Sequence, residues 1–354
     1  MSSRQYILII TILAVLGAAV PSQSQVKNRV ATTAANFLEI GIGSAGSAMG
    51  EAYVSMPRDL SALYWNPAGL GLMDRNSVMM IHQPWIANTN CTFFGANLVL
   101  PSVGTVAAGV TYMGYGSMDV TTVEDPEGTG ETFSPSDYAF SLAYSRRLVQ
   151  WFSFGAAFKY ITSQIWHCSA SAMAVDLGVL VNTGFFSPTG DREDGMMIGM
   201  SISNYGGRME YDGIDLLSTV DPYPQYEGNF AFNRGKYDLN AWELPLIFRV
   251  GLSVHAFKVA GHRLILSADA LHPNNNSESV NVGGEYGVKL PGMGELFLRG
   301  GYKALFMDKS QYGTTFGGGF VMYVTRTSAL QMNYAYKSIG ILGNMHSYEL
   351  GILF

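Results

Sequence analysis

The sequence predicts an all-β transmembrane protein: a 14-stranded antiparallel outer-membrane β-barrel with an N-terminal hatch or plug. Three observations carry that expectation. Only 14% of the 354 residues are charged, while glycine reaches 41 residues and aromatics 12%; an ordinary soluble domain carries about 25% charge. From Ser77 onward, apolar residues alternate with small or polar ones in stretches that break at Gly, Pro, Asn or Asp, and a period of two marks a strand. The chain closes on "HSYELGILF", with Tyr348, Leu350, Ile352 and Phe354 sharing one face.

The elements follow in order. Residues 1–25, "MSSRQYILIITILAVLGAAVPSQSQ", have one Arg, an apolar run from Tyr6 to Val20, then Pro21 and small polar residues. That is the layout of a secretory signal peptide, with cleavage after Ser24 or Ala19. The run is shorter than the roughly 20 residues of a spanning helix, which disfavours an uncleaved anchor. Export without a helical anchor leaves the periplasm, the outer membrane or the exterior, and the barrel pattern of residues 77–354 selects the outer membrane.

Residues 26–76 lack alternation and are expected to form a hatch wedged inside the periplasmic mouth of the barrel. In "YWNPAGL", Pro67 restricts Asn66 to extended geometry, Asn66 caps a short turn beginning at Pro67, and Gly69 ends that turn. Ala68 lies within the turn, and Tyr64, Trp65 and Leu70 supply the apolar wedge. Gly41, Gly43 and Gly46 spell GxGxxG, but no βαβ unit follows to make a dinucleotide loop. They read as close-packing positions.

Residues 77–354 divide into fourteen alternating segments, near 77–86, 90–100, 104–113, 136–146, 152–163, 169–183, 195–205, 244–256, 262–271, 279–289, 294–305, 314–325, 328–338 and 345–354. An even count of strands about ten residues long suits a barrel, because hydrocarbon cannot satisfy the edge of an open sheet. Short turns follow strands 2, 4, 8, 10 and 12, and the longest gaps, 114–135 and 206–243, both follow odd strands. The turn "FFSPTGDRED" after strand 6 is longer than this pattern prefers. A soluble β-sandwich would charge its second face; here that face is mostly Gly, Ala, Ser and Thr, suiting a narrow filled lumen.

"ANFLEIGIGSAGSAMGEAYVSMPRDLSALYWNPAGL" resembles the opening of the PorV/PorQ family, within the larger group of barrels similar to the FadL long-chain fatty-acid transporters. The resemblance implies fourteen strands and a hatch whose Asn-Pro-Ala motif falls on Asn66, Pro67 and Ala68. A second block, "SADALHPNNNSESVNVGGEYG" followed by "LFLRGGYK", resembles the family's late strands and places Asp269, Pro273, Glu285, Arg299 and Tyr302 at matching positions. The early glycine-rich run departs from the family pattern, with Gly46 and Glu51 at roughly the places where an Arg and a further Gly are usual. The terminal strand looks like the signal read by the outer-membrane assembly machinery.

The charges and motifs narrow function. The net charge of −6 is not blocked, and no basic stripe offers a nucleic-acid surface. The six His residues show no HExxH spacing and there is no GxSxG elbow. Neither an enzyme nor a cofactor or metal site is expected; Cys91 and Cys168 have no metal-ligand spacing and read as two separate small apolar residues, with pairing in an oxidising compartment as the alternative. Asp269, Glu285 and Arg299 point inward by period-two counting and read as a charge ladder that neutralises the lumen, with Lys289, Lys303 and Lys337 nearby. In residues 206–243, Tyr223, Tyr226, Phe230, Phe232, Tyr237 and Trp242 form a candidate extracellular partner loop. The resemblance implies a component of a type IX-like secretion or surface-attachment system, in contact with outer-membrane lipid and with protein partners. Its alternative is a FadL-like passive channel for hydrophobic small molecules.

Overall fold

The computed structural model describes residues 30–223, 225–226, 233–307 and 310–354; the expected signal peptide lies outside them. The main sheet contains fifteen strands, one of which, Asp212–Gly213, is a two-residue flap on the end of another. The other fourteen are β1 (Ser77–Pro84), β2 (Asn90–Leu100), β3 (Gly104–Gly114), β4 (Ser136–Val149), β5 (Phe152–Ile165), β6 (Cys168–Asn182) and β7 (Met197–Gly206). They continue with β8 (Ile247–Val259), β9 (His262–Pro273), β10 (Ser279–Leu290), β11 (Gly294–Leu305), β12 (Thr314–Tyr323), β13 (Ala329–Ser338) and β14 (Asn344–Leu353). Each pairs antiparallel with its neighbours, and β1 closes the ring on β14 in register from Ser77↔Leu353 to His82↔Tyr348. The expected barrel is therefore the observed one.

Closure leaves two faces. Outward positions are large and apolar, including Phe94, Leu98, Phe140, Leu142, Leu177, Phe248, Leu298 and Leu350, all solvent-exposed in the isolated chain and suited to hydrocarbon. Inward positions are small: Ala107, Ala139, Ala143, Ala157, Ser201, Ser253, Ser267, Ala335 and Ser347 are buried. Aromatic pairs such as Tyr112–Tyr138 and Phe316–Tyr336, with centroids 5.0 and 4.6 Å apart, sit on the outward face. Turns after even-numbered strands define a short-turn end, shared by Ser77 and the C-terminus. The opposite end carries the two long connections, 115–135 and 207–246.

The lumen is occupied by residues 34–72, built from short pieces: α1 (Ser44–Ala48), α2 (Ala62–Trp65) and 3-10 turns at Asn36–Glu39 and Pro67–Leu72. This inner segment spans more of the barrel than its mouth, which corrects the expectation of a wedge at the periplasmic end alone. At the long-loop end the Ala34 N–H donates to the Glu243 carbonyl at 2.9 Å. At the short-turn end Asn76 and Phe354 exchange backbone hydrogen bonds of 3.1 and 2.9 Å. Small inward residues leave room along the whole height, and a segment with so little regular structure fills it.

Its backbone groups must then be satisfied by the wall. Thr315 Oγ1 donates to the Ala48 carbonyl and accepts from Gly50 N–H, both at 2.8 Å. Ser267 Oγ donates to the Ala52 carbonyl at 2.7 Å. The Glu349 carboxylate accepts from Ser44 N–H at 2.8 Å.

The turn after β6 keeps its anticipated extra length. It folds back on itself through Thr183 N–H to the Met196 carbonyl at 2.9 Å and is tied to β8 by Lys258–Asp194 at 2.7 Å. Cys91 and Cys168 are both free thiols.

Candidate functional site

The Asn-Pro-Ala motif is the pin of the inner segment. Asn66 is extended (φ −165°, ψ 104°), and Pro67 opens the 3-10 turn after it, as Pro geometry requires. Asn66 Oδ1 accepts from Ala68 N–H at 3.1 Å, while Nδ2 donates to the carbonyls of Val54 at 2.9 Å and Val179 at 3.0 Å. One fully buried side chain thus ties its own turn, a distant part of the segment and strand β6. The wall yields to it: a Cβ built on Gly178 would stand 2.0 Å from Asn66 Oδ1, and one on Gly155 would stand 2.3 Å from the Pro67 carbonyl carbon.

The turn runs on to Leu72 rather than ending at Gly69. Gly69 is needed for close approach instead, since a Cβ there would lie 2.2 Å from the Pro57 carbonyl oxygen. Beside the motif Trp65 is fully buried, donates from Nε1 to the Ile42 carbonyl at 2.6 Å, and stacks edge-on with Tyr64 at 4.7 Å. Gly41 and Gly46 pack on its indole ring, the close-packing role expected of the GxGxxG glycines.

The inward charges divide differently from the expected ladder. Glu285 and Arg299 face each other directly across β10 and β11 at 2.8 Å. The network runs on through Arg299 Nη1 to Asn333 Oδ1 at 2.7 Å and Asn333 Nδ2 to Glu349 at 2.5 Å. Asp269 does not join it. Its register partner on β10 is Asn281, whereas Glu285 lies opposite Ile265, so Asp269 sits four residues nearer the long-loop end. There its Oδ2 accepts from Tyr53 and Val54 N–H at 2.7 and 2.8 Å. Period-two counting gives the face a residue points to, and only pairing register gives its height.

A second cluster was missed. Glu51, at φ 64°, receives Lys337 at 2.6 Å and Lys303 at 2.7 Å. Lys337 lies 5.2 Å from the Trp85 ring and Lys303 4.0 Å from the Tyr312 ring. Burial pushes the Glu51 carboxyl up, but the two ammonium groups outweigh it and bring it down to about 2. Lys289, named with these lysines, is exposed at the end of its strand. A third cluster, Lys159–Asp176 at 2.6 Å with Asn204 Oδ1 2.8 Å from Lys159 Nζ, braces β5 to β6. Between the segment and the wall at β2–β5 lies a small cavity of about 20 Å³, lined by Phe37, Leu38, Ile42, Leu63 and Phe93 among others.

At the long-loop end Met209 bridges Trp242, and Thr33 bridges Glu243. The hairpin Leu217–Val220 with Asn233–Lys236 projects beyond them. Tyr223, Tyr226, Tyr237 and Trp242 are exposed there; Phe230 and Phe232 lie outside the described residues. Pro273 closes β9, and Tyr302 faces outward from β11.

A closed fourteen-stranded barrel with an apolar outer face and a chain segment in its lumen has the architecture of an outer-membrane β-barrel protein. The sequence pattern of the family described as "Type IX secretion system protein PorV" matches residues 23–234, more than half of the chain, and this protein belongs to that family. Among solved structures, a Pseudomonas aeruginosa FadL homologue superposes with TM-score 0.51 at 10% identity, over 88% of this chain and 98% of that one. The Pseudomonas putida toluene transporter TodX gives 0.52 at 11% identity, over 88% and 96%. The Ralstonia pickettii toluene transporter TbuX gives 0.52 at 11%, over 88% and 97%. At such identities the likeness is one of fold. No curated protein matches the sequence.

Proposed function

We propose that this barrel serves a type IX secretion or surface-attachment pathway by holding exported or membrane proteins on its long-loop end, and that it does not pass a solute. Export by a cleaved signal peptide belongs to the same reading. One observation carries it: the lumen is filled by its own chain. The apolar cavity of about 20 Å³ between segment and wall has room for about one water molecule, whereas ligand pockets run to roughly 300 Å³ and more. The roomier cavities, about 200 and 190 Å³ at the short-turn mouth, are lined by Arg, Asp and Glu side chains, which suits the hydrophobic molecule of the channel alternative poorly.

Short turns face the periplasm in barrels of this kind, which puts residues 207–246 outside the cell. Exposed Tyr side chains in the loop and flank of a hairpin, with Ile214 before it and Trp242 at its base, supply the rigid apolar area of a protein interface. The test is affinity purification from native outer membranes after gentle crosslinking, comparing the intact protein with one whose residues 214–240 are replaced by a Gly/Ser linker. That replacement spares the Met209–Trp242 and Thr33–Glu243 bridges, so the inner segment keeps its seat. Secreted proteins or a larger membrane complex should be recovered with the intact loop only. Equal recovery from both, or bound lipid in their place, would reverse the assignment.

A further inference from the structure

We infer that the short-turn mouth of the barrel holds an oxyanion site centred on Arg58, independent of the long-loop surface. Two adjoining cavities of about 200 and 190 Å³ open there and share Arg58, Glu193 and Met197 in their walls. Four arginines, Arg58, Arg147, Arg263 and Arg299, line them against three carboxylates, Asp59, Glu193 and Glu285, within a chain whose overall charge is −6. His255 faces the larger cavity as well.

Most of these charges are engaged. Glu285 binds Arg299 at 2.8 Å and Arg263 at 3.4 Å, and Arg147 reaches Glu193 at 3.7 Å. Asp59 Oδ1 accepts from the Ser61 N–H at 2.9 Å and hydroxyl at 2.5 Å. Arg58 forms no hydrogen bond or ion pair with any described residue. Beside it Ser55 is fully buried, lines the same cavity, and its hydroxyl has no partner among the described residues; neither does Arg263 Nε.

The Arg58 guanidinium, exposed at the mouth, is a donor without an acceptor, and Ser55 Oγ and Arg263 Nε, closed off from solvent beside the same cavity, are two more unpaired donors that a guest could engage by a side-chain turn. Planar guanidinium groups match phosphate and carboxylate oxygens in pairs. The space is below the range of drug-sized ligand pockets, and the three carboxylates oppose a highly charged guest. The ligand that fits is a small oxyanion, either free phosphate or the phosphate of a lipid headgroup reaching in from the rim, where Trp151 is exposed.

The test titrates inorganic phosphate into the full-length protein in uncharged detergent, read by Trp fluorescence and phosphorus NMR. Saturable binding is expected, weakened about tenfold or more by Arg58→Gln, as loss of a charged hydrogen-bonding partner implies, and less by Ser55→Ala. Since Arg58 holds nothing in the fold, Arg58→Gln should keep the heat-modifiable gel mobility of the intact barrel, and Arg208→Gln at the far end should bind as the parent does. Displacement of phosphate by a short-chain phosphatidylglycerol would assign the site to headgroups, and no displacement to free anions. Non-saturable binding, or binding unchanged in Arg58→Gln, would overturn the proposal.

Discussion

Glu51→Gln is expected to loosen residues 44–56 from the barrel wall and to cost about 3–5 kcal/mol, the usual penalty for stranding buried charge. Glutamine keeps the shape but removes the charge that two lysines share at 2.6 and 2.7 Å. Lys337 is fully buried, and the faces of Trp85 and Tyr312 return roughly 1–2 kcal/mol at most. Backbone amides of this stretch should exchange at least 100-fold faster in detergent, since about 1.4 kcal/mol is a factor of ten. Glu243→Gln removes an exposed pair with Arg208 and should change little.

The same residue sets an acid limit. A carboxyl lowered from 4.5 to about 2 contributes its full stabilisation above pH 4.5 and loses it as the pH falls through the folded value. Protection of residues 44–56 should therefore hold from neutral pH down to about 4.5 and decline between there and about 2. Glu51→Gln should lack that step.

The second large effect is expected from one added methyl group. Gly178→Ala would place a Cβ 2.0 Å from Asn66 Oδ1, inside any permitted contact, at the side chain that satisfies Ala68, Val54 and Val179. Either the β6 wall shifts or Asn66 leaves its three partners, at about 3 kcal/mol or more for the buried groups left unpaired. Asn66→Ala alone should cost a similar amount. The double variant should be less damaging than the sum, because the alanine pair no longer collides; a coupling of at least 1 kcal/mol by thermal unfolding is expected for residues in contact. Additive behaviour would mean that the motif does not bear on this wall.

The barrel was legible in the sequence because its cause is local. Alternation in "PLIFRVGLSVHAF" or "ELFLRGGYKAL" reflects lipid on one side and a packed lumen on the other, and turn chemistry marked the ends of those strands. The Asn66 cap was legible for the same reason, since Pro67 constrains the residue before it. What the sequence concealed was long-range register. Glu51 looked like a departure from a glycine-rich pattern, because its two lysines lie 252 and 286 positions further along the chain. Asp269 looked like a rung beside Glu285, because alternation carries no information about height. The reach of the inner segment to the long-loop end was hidden too, resting on the Ala34–Glu243 hydrogen bond that no local pattern announces.

The barrel is sealed by its own chain, and planar-bilayer recording of the purified protein in concentrated potassium chloride tests this most directly. The parent protein should be electrically silent, and a variant lacking residues 36–72, inserted in the same way, should open stepwise conductances. Sustained steps from the parent protein would contradict the filled lumen and restore the channel reading.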